Sequence, residues 1–262
     1  MSTEASTLEE TFARCRAEGR AALVGYFPAG YPSVAESVRT VAAMVEAGCD
    51  IVEVGIPYSD PMMDGPTIQA AADAALAAGT KVADTFEVVR AVAEAGGMPV
   101  VMSYWNPILQ YGVDRFAVDL AAAGGQGVIT PDLIPDEAEA WTAAAKANGL
   151  SQIFLVAPSS TPERLQMTVD AASGFVYAQA VMGLTGAREA VSDLPKELTR
   201  RIRAAGELPV CVGLGVRDGA QAAEIASYAD GVIVGSAIIS AAAAGEQAVR
   251  ELVADLAAGV RR

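Results

Sequence analysis

The chain has 262 residues, of which 52% are hydrophobic, and this length and composition suffice for one large buried core. Its formal net charge of −14 argues against nucleic acids and membrane surfaces as partners, since an acidic protein repels phosphodiester backbones and anionic lipids. Histidine is absent, which excludes a Ser-His-Asp triad, a Cys-His pair and any zinc site with His ligands.

The N-terminal segment MSTEASTLEETFARCRAEG is acidic and amphipathic, and it lacks the basic start and the apolar stretch of a secretory signal. We therefore expect a short helix here, in a protein that stays in the cytoplasm. Cys15, Cys49 and Cys211 form no CxxC pair, which suits a reducing compartment. We expect all three cysteines to be structural.

Short apolar runs alternate with Ala-rich amphipathic stretches along the whole chain. The apolar runs predict eight strands, at 21–27, 51–56, 99–104, 127–130, 152–157, 175–180, 209–214 and 231–235. The stretches between them, such as SVAESVRTVAAMVEAG, TFEVVRAVAEAG and DEAEAWTAAAKANG, start with cap-type residues and mostly end at Gly, as helices do.

Apolar strands joined by helices of this length indicate a parallel sheet that is covered on its outer face. Eight repeats favour closure of that sheet, so the fold class is α/β, a (β/α)8 TIM barrel. We expect residues 1–262 to form a single barrel domain with the short helix at its N-terminus. An open doubly wound sheet is the alternative.

Glu53 lies in the second predicted strand, and the active site of such a barrel lies at the carboxyl ends of its strands. Alternation places Glu53 with Ile51 and Gly55 on one face, opposite Val52 and Val54, and we expect the Glu53 face to be the interior. A carboxyl group buried there has a raised pKa, which suits acid–base chemistry. The alternative is a Glu paired with a core cation, but no other predicted strand supplies an obvious one.

The loop after the second strand, PYSDPMMDGPTIQ, carries two aspartates, Asp60 and Asp64. Turn chemistry alone can explain an Asp beside a proline, and taken singly each residue fits a structural role. Their expected position above Glu53 favours a functional role for at least one of them.

Three Gly-rich segments follow the last strands: MGLTGA after strand 6, GLGVRDG after strand 7 and VGSAI after strand 8. Barrels commonly bind phosphate after strands 7 and 8, where Gly lets backbone N–H groups and a helix N-terminus approach the anion. Glycine also ends strands and starts turns, so a single such segment is weak evidence. Two at neighbouring strands predict a small phosphorylated substrate.

The stretch VEVGIPYSDPMMDGPTIQ closely resembles the signature of the tryptophan synthase α-subunit family. Further similarity includes GYFPAGYPS, MSYWNPILQYG, ITPDLIPDEA, IFLVAPSSTPERL, GLGVRD and GVIVGSAI, and it covers roughly residues 8 to 258. The resemblance implies a carbon–carbon lyase of tryptophan biosynthesis. This enzyme cleaves indole-3-glycerol phosphate to indole and glyceraldehyde 3-phosphate, and it needs neither a metal nor an organic cofactor.

The resemblance also implies site residues. Glu53 matches the general acid–base, Asp64 the carboxylate that binds the indole N–H, and Tyr177 a tyrosine near the catalytic Glu. Tyr26 matches an aromatic residue of the indole pocket, and Thr185 bridges the loop after strand 6 to the Asp64 loop. The implied phosphate ligands are Gly186, Gly215, Gly235 and Ser236. The chain departs from the commoner family residues at Ala180, Leu184 and Leu214, which bears on loop closure.

The family's partner is a β subunit that receives the indole, in an α2β2 heterotetramer. By this resemblance we expect Asn106, Pro107 and Asp132 at or near the contact, because indole must leave through the mouth of the barrel. Three alternatives stay open: another phosphosugar barrel, a free-standing lyase that releases indole, and a non-catalytic module that only activates a β partner. The first would lack GIPYSDPMMDGP, and retention of Glu53 and Asp64 argues against the third.

Overall fold

A computed structural model of the chain describes residues 7–179, 193–213 and 215–261. Within these residues eight parallel strands form one closed barrel, in sequence order from β1 to β8. The strands are β1 Ala22–Pro28, β2 Ile51–Gly55, β3 Met98–Met102, β4 Gly127–Thr130, β5 Ser151–Val156, β6 Val176–Gln179, β7 Val210–Gly213 and β8 Gly231–Val234.

One helix precedes the first strand, and the others follow strands and cover the outer face of the barrel. They are α1 Leu8–Ala17, α2 Val34–Ala47, α3 Pro66–Ala77, α4 Thr85–Glu94, α5 Trp105–Tyr111, α6 Val113–Ala122, α7 Glu139–Ala147, α8 Pro162–Ala171, α9 Asp193–Ala205, α10 Gly219–Ala226, α11 Ser236–Ala244 and α12 Glu246–Gly259. Short 3-10 turns at Val82–Asp84 and Pro135–Glu137 precede α4 and α7. Within the described part of the chain, no helix combines the length and apolar character that crossing a bilayer requires.

The predicted barrel is confirmed by the pairing of its first and last strands. Ala22 of β1 lies beside Gly231 of β8, so the sheet has no open edge between them and the doubly wound alternative is wrong. All eight predicted strands are present, with boundaries that differ by one or two residues. The strands could be predicted because each one is a single short run of buried apolar residues in the sequence.

Two of the residues expected to cap helices do not do so. Thr85 is the first buried residue of α4 rather than its cap, because the preceding Asp84 accepts a hydrogen bond from the backbone N–H of Lys81 at 2.7 Å and closes a 3-10 turn. Asp136 lies in the turn before α7, where its carboxylate pairs with Arg164 of α8 at 2.5 Å. In contrast, Ser33 caps α2 as expected.

The strands bury side chains on both faces. Val52 and Val54 of β2 pack outward among the helices, whereas Ile51 points into a separate interior cluster, as the alternation predicts. Leu8 and Phe12 of α1 belong to this interior cluster as well. Since Phe12 packs edge-on against the ring of Phe175, just before β6, α1 closes the amino-terminal end of the barrel.

The three cysteines have the structural character expected of them. Cys15, Cys49 and Cys211 are free and buried, and Cys15 and Cys211 both lie in the interior cluster.

Candidate active site

A cavity of about 280 Å³ opens at the carboxyl ends of the strands. It is the place where the fold predicts a barrel active site. The described residues that line it are Tyr26, Glu53, Met63, Asp64, Ile68, Met102, Leu155, Tyr177, Gln179, Gly213, Gly215, Ile233, Gly235 and Ser236. The cavity therefore combines an apolar wall with two carboxyl groups, two phenols and a glycine-rich end.

Glu53 projects from the middle of β2 into the barrel and is only 1% exposed. Its Oε1 atom is buried and has no hydrogen-bond partner among the described residues. Burial raises the pKa of Glu53 to about 8, because the low-dielectric interior disfavours the charged form. A carboxyl group with this pKa can both give and take a proton near neutral pH.

Asp64 reaches the same cavity from the loop between β2 and α3. Burial raises its pKa, and a hydrogen bond from the hydroxyl of Tyr104, 3.3 Å from Oδ1, opposes that rise. Asp60 lies on the exposed part of the loop, where it accepts a hydrogen bond from Ser59 at 2.5 Å, and it does not line the cavity. Of the two aspartates, Asp64 is the one that lines the same cavity as Glu53.

Tyr26 and Tyr177 also point into the barrel, and each ring passes over a glycine. A Cβ at Gly55 would overlap the hydroxyl of Tyr26, and a Cβ at Gly213 would lie 2.6 Å from the hydroxyl of Tyr177. Burial raises the pKa of both tyrosines above the usual value, so both keep their protons and can donate hydrogen bonds.

The glycine-rich end of the cavity is formed by Gly215, Gly235 and Ser236. Ser236 begins α11, and no side chain caps this helix, so its first N–H groups are open to an anion. Gly215 has φ +70°, a conformation that favours glycine. Among the described residues of the lining there is no Lys or Arg. Thr185 and Gly186, with Ala180, Leu184 and Leu214, lie outside the described residues.

Several lining residues were not singled out from the sequence. Met102, Leu155 and Ile233 occupy inward positions near the carboxyl ends of β3, β5 and β8, and strand alternation carries the signal that could have identified them. Gln179, at the end of β6, adds a polar group by the same logic. No local pattern indicates Tyr104, because its partners lie about 40 residues earlier in the chain.

Comparisons with known proteins show which family the chain belongs to. A family model described as tryptophan synthase alpha chain matches residues 12–261. The tryptophan synthase alpha chain of Nocardia farcinica is 64% identical over 259 residues, which cover 99% of this chain and 97% of the relative. The relative of the same name from Mycobacteroides abscessus is 62% identical over 260 residues and 99% of each chain.

Solved structures give the same result. A crystal structure of tryptophan synthase from M. tuberculosis superposes with a TM-score of 0.93 at 58% identity, covering 99% of this chain and 100% of that one. The tryptophan synthase subunit alpha of Legionella pneumophila superposes with a TM-score of 0.88 at 32% identity over 97% of each chain. These findings confirm the resemblance seen in the sequence, and the chain belongs to the tryptophan synthase alpha chain family.

Proposed function

We propose that Glu53 and Asp64 carry out the lyase reaction of this family, the cleavage of indole-3-glycerol phosphate to indole and glyceraldehyde 3-phosphate. The observation that carries the proposal is the position of Glu53, a buried carboxyl group with a pKa of about 8, in one cavity with Asp64 and the glycine-rich end. No metal or organic cofactor enters the proposed reaction.

Glu53 acts as the general acid and base. Its protonated carboxyl group delivers a proton to C3 of the indole ring, which becomes a cationic indolenine. The carboxylate then takes the proton of the glycerol hydroxyl beside the ring. The C–C bond breaks, its electron pair returns to the ring to give indole, and the glycerol carbon becomes the aldehyde. The pKa of Glu53 supports this double use, because neither form is far from neutral pH.

Asp64 stabilises the intermediate by holding the indole N–H, where positive charge develops. Apolar residues such as Met102, Leu155 and Ile233 offer a surface for the ring. Tyr26 and Tyr177 complete this wall, in the cavity that Glu53 also lines.

The phosphate group binds at the opposite end, on the backbone N–H groups of Gly215, Gly235 and Ser236, with Gly186 as a further ligand. The family resemblance implies that Thr185, which lies outside the described residues, bridges the loop after β6 and the Asp64 loop. The uncapped start of α11 supports this assignment, since a helix N-terminus carries partial positive charge.

A β subunit, which receives the indole, is the proposed partner in an α2β2 complex. The chain is also proposed to act in the cytoplasm and to form one domain. Support for a partner surface comes from apolar side chains around the mouth of the barrel. Met62 is 72% exposed, Leu109 52% and Ile134 41%, and exposed apolar groups of this kind mark contact surfaces. Asn106, which is exposed, and Asp132, which accepts hydrogen bonds from the Trp105 backbone N–H, lie in the same segments.

Glu53→Gln tests the catalytic assignment, because Gln keeps the shape and removes the proton shuttle. We expect the rate of glyceraldehyde 3-phosphate formation to fall roughly 10²–10⁴-fold, the usual value of general acid–base catalysis. Glu197→Gln, on the exposed face of α9, is the matched control. A Glu53→Gln variant that folds and keeps more than about a tenth of the rate contradicts the assignment.

Mixing the chain with a tryptophan synthase β subunit tests the partner. We expect one complex of α2β2 mass by light scattering and a higher cleavage rate than for the chain alone. Separate masses and an unchanged rate would instead favour a free-standing lyase.

A further inference from the structure

Tyr104 joins the end of one strand to the loop of its neighbour. It lies two residues beyond β3, and its hydroxyl oxygen accepts hydrogen bonds from the backbone N–H groups of Met62 and Met63, each at 3.0 Å. The same hydroxyl donates its proton to Oδ1 of Asp64 at 3.3 Å. One phenol thus uses both lone pairs and its proton on three consecutive residues of the β2–α3 loop.

The backbone on either side of Tyr104 is held from outside the β2–α3 loop. Its neighbours are held by β4 and the segment after it: the Ser103 N–H donates to the carbonyl of Ile129 at 3.1 Å, and the Trp105 N–H donates to both carboxylate oxygens of Asp132, at 2.9 and 3.1 Å. The side chain is only 5% exposed. The rigid barrel therefore sets the position of the hydroxyl.

The loop itself has less support. Met62 is 72% exposed, so burial contributes little to holding this part of the chain. On the other side of Asp64, the Gln69 amide donates to the Asp64 carbonyl at 2.8 Å, which fixes the backbone but not the carboxylate. The hydrogen bond from Tyr104 acts on the carboxylate directly.

We propose that Tyr104 is a positioning residue, which holds the loop from Met62 to Asp64 in register with the barrel and aims the Asp64 carboxylate into the cavity. The inference rests on the proposed role of Asp64. Tyr104 does not line the cavity, and it acts through Asp64. Its effect falls on turnover, because the carboxylate must meet the charge that develops on the ring.

Tyr104→Phe tests this role, because it keeps the ring that packs against Tyr58 at 5.2 Å and removes only the hydroxyl. The kcat and KM for indole-3-glycerol phosphate are measured on the full chain with a β subunit in excess. Amide hydrogen exchange at Met62 and Met63 is followed in the same variant. We expect faster exchange at both residues and a kcat that is lower by roughly 10- to 100-fold, the range that a small misplacement costs. The KM should change far less, because the phosphate is held elsewhere.

Tyr111→Phe is the matched control. The Tyr111 hydroxyl also donates to a carboxylate, that of Asp119 at 2.6 Å, but it lies on α5 away from the cavity lining. We expect this variant to keep the exchange rates at Met62 and Met63 and the kcat of the parent chain. Unchanged exchange in Tyr104→Phe, or faster exchange with an unchanged kcat, overturns the inference.

A double-mutant cycle with Asp64→Asn shows whether Tyr104 acts through Asp64. We expect Tyr104→Phe to lower kcat much less in the Asp64→Asn background than in the parent chain. An equal loss of kcat in both backgrounds overturns the inference about Tyr104 but leaves the proposed function of Asp64 in place. An Asp64→Asn variant with the parent kcat contradicts the proposed function of Asp64 and this inference with it.

Discussion

The hydroxyl of Tyr177 occupies the space beside Gly213 that a side chain at position 213 would need. A Cβ there would lie 2.6 Å from the hydroxyl oxygen, well inside the contact distance of the two atoms. Tyr177 of β6 pairs with Cys211 of β7, and Gly213 lies two residues farther along β7, so the glycine leaves room for a phenol that leans over the end of β7 in the cavity that Glu53 also lines.

Gly213→Ala should therefore displace Tyr177 and lower kcat, while the chain still folds. The same change should cost less in a Tyr177→Phe background, since the hydroxyl at 2.6 Å is then absent and the nearest remaining ring atoms lie at 3.2 Å. Steady-state kinetics on the two single variants and the double variant measure this. An equal loss in both backgrounds would show that the methyl group acts on something other than the phenol.

Glu53→Gln should change how stability depends on pH. The folded-state pKa of about 8 lies above the ordinary value of 4.5, so between these pH values the unfolded chain loses a proton that the folded chain keeps. The contribution of Glu53 to the free energy of unfolding, measured against the Gln variant, is thus fully present below about pH 4.5. It decreases as the pH rises and is lost by about pH 8.

The size of this change is up to about 5 kcal/mol, from 1.36 kcal/mol for each pH unit between the two pKa values. Urea unfolding of both proteins at several values between about pH 5 and about pH 9 measures it. Parallel stability curves would mean that Glu53 has an ordinary pKa in the folded chain.

Asp64→Asn should lower kcat steeply and weaken the binding of a neutral indole analogue far less, because the negative charge matters most once the ring is cationic. Asp60→Asn in the same loop is the control in the isolated chain, since Asp60 is exposed and bonds to Ser59. Calorimetry measures the binding of the analogue, and steady-state kinetics measures kcat. Equal losses in binding and turnover would mark Asp64 as a structural turn residue.

Gly235→Val should raise the KM for indole-3-glycerol phosphate with a smaller effect on kcat. A Cβ at Gly235 would make ordinary contacts with Tyr26, the nearest at 3.4 Å, so the barrel can accept it. The branched side chain would then extend toward the start of α11, where the phosphate is proposed to bind. A phosphate ion found elsewhere in a soaked crystal, or an unchanged KM, would contradict this assignment.

The barrel and the place of Glu53 could be predicted because both depend on local patterns. Each strand is a short apolar run, and alternation within 51–55 decides which side chains point inward. The hydrogen bonds between Tyr104 and the Asp64 loop could not be predicted in this way, because they join residues about 40 positions apart. The capping roles expected of Thr85 and Asp136 were wrong because Asp84 bonds locally to the Lys81 N–H and Asp136 pairs with the distant Arg164.

The closure of the barrel by α1 has an electrostatic consequence for the opposite end. Burial is what raises the pKa of Glu53, and burial requires that solvent be kept out from below as well as from above. Leu8 and Phe12 fill the amino-terminal end of the interior. They exclude water there and so help to keep the dielectric constant low beneath the carboxyl group. A chain in which α1 detached would let water closer to Glu53 from below, and the pKa of Glu53 would fall although no residue of the cavity had changed.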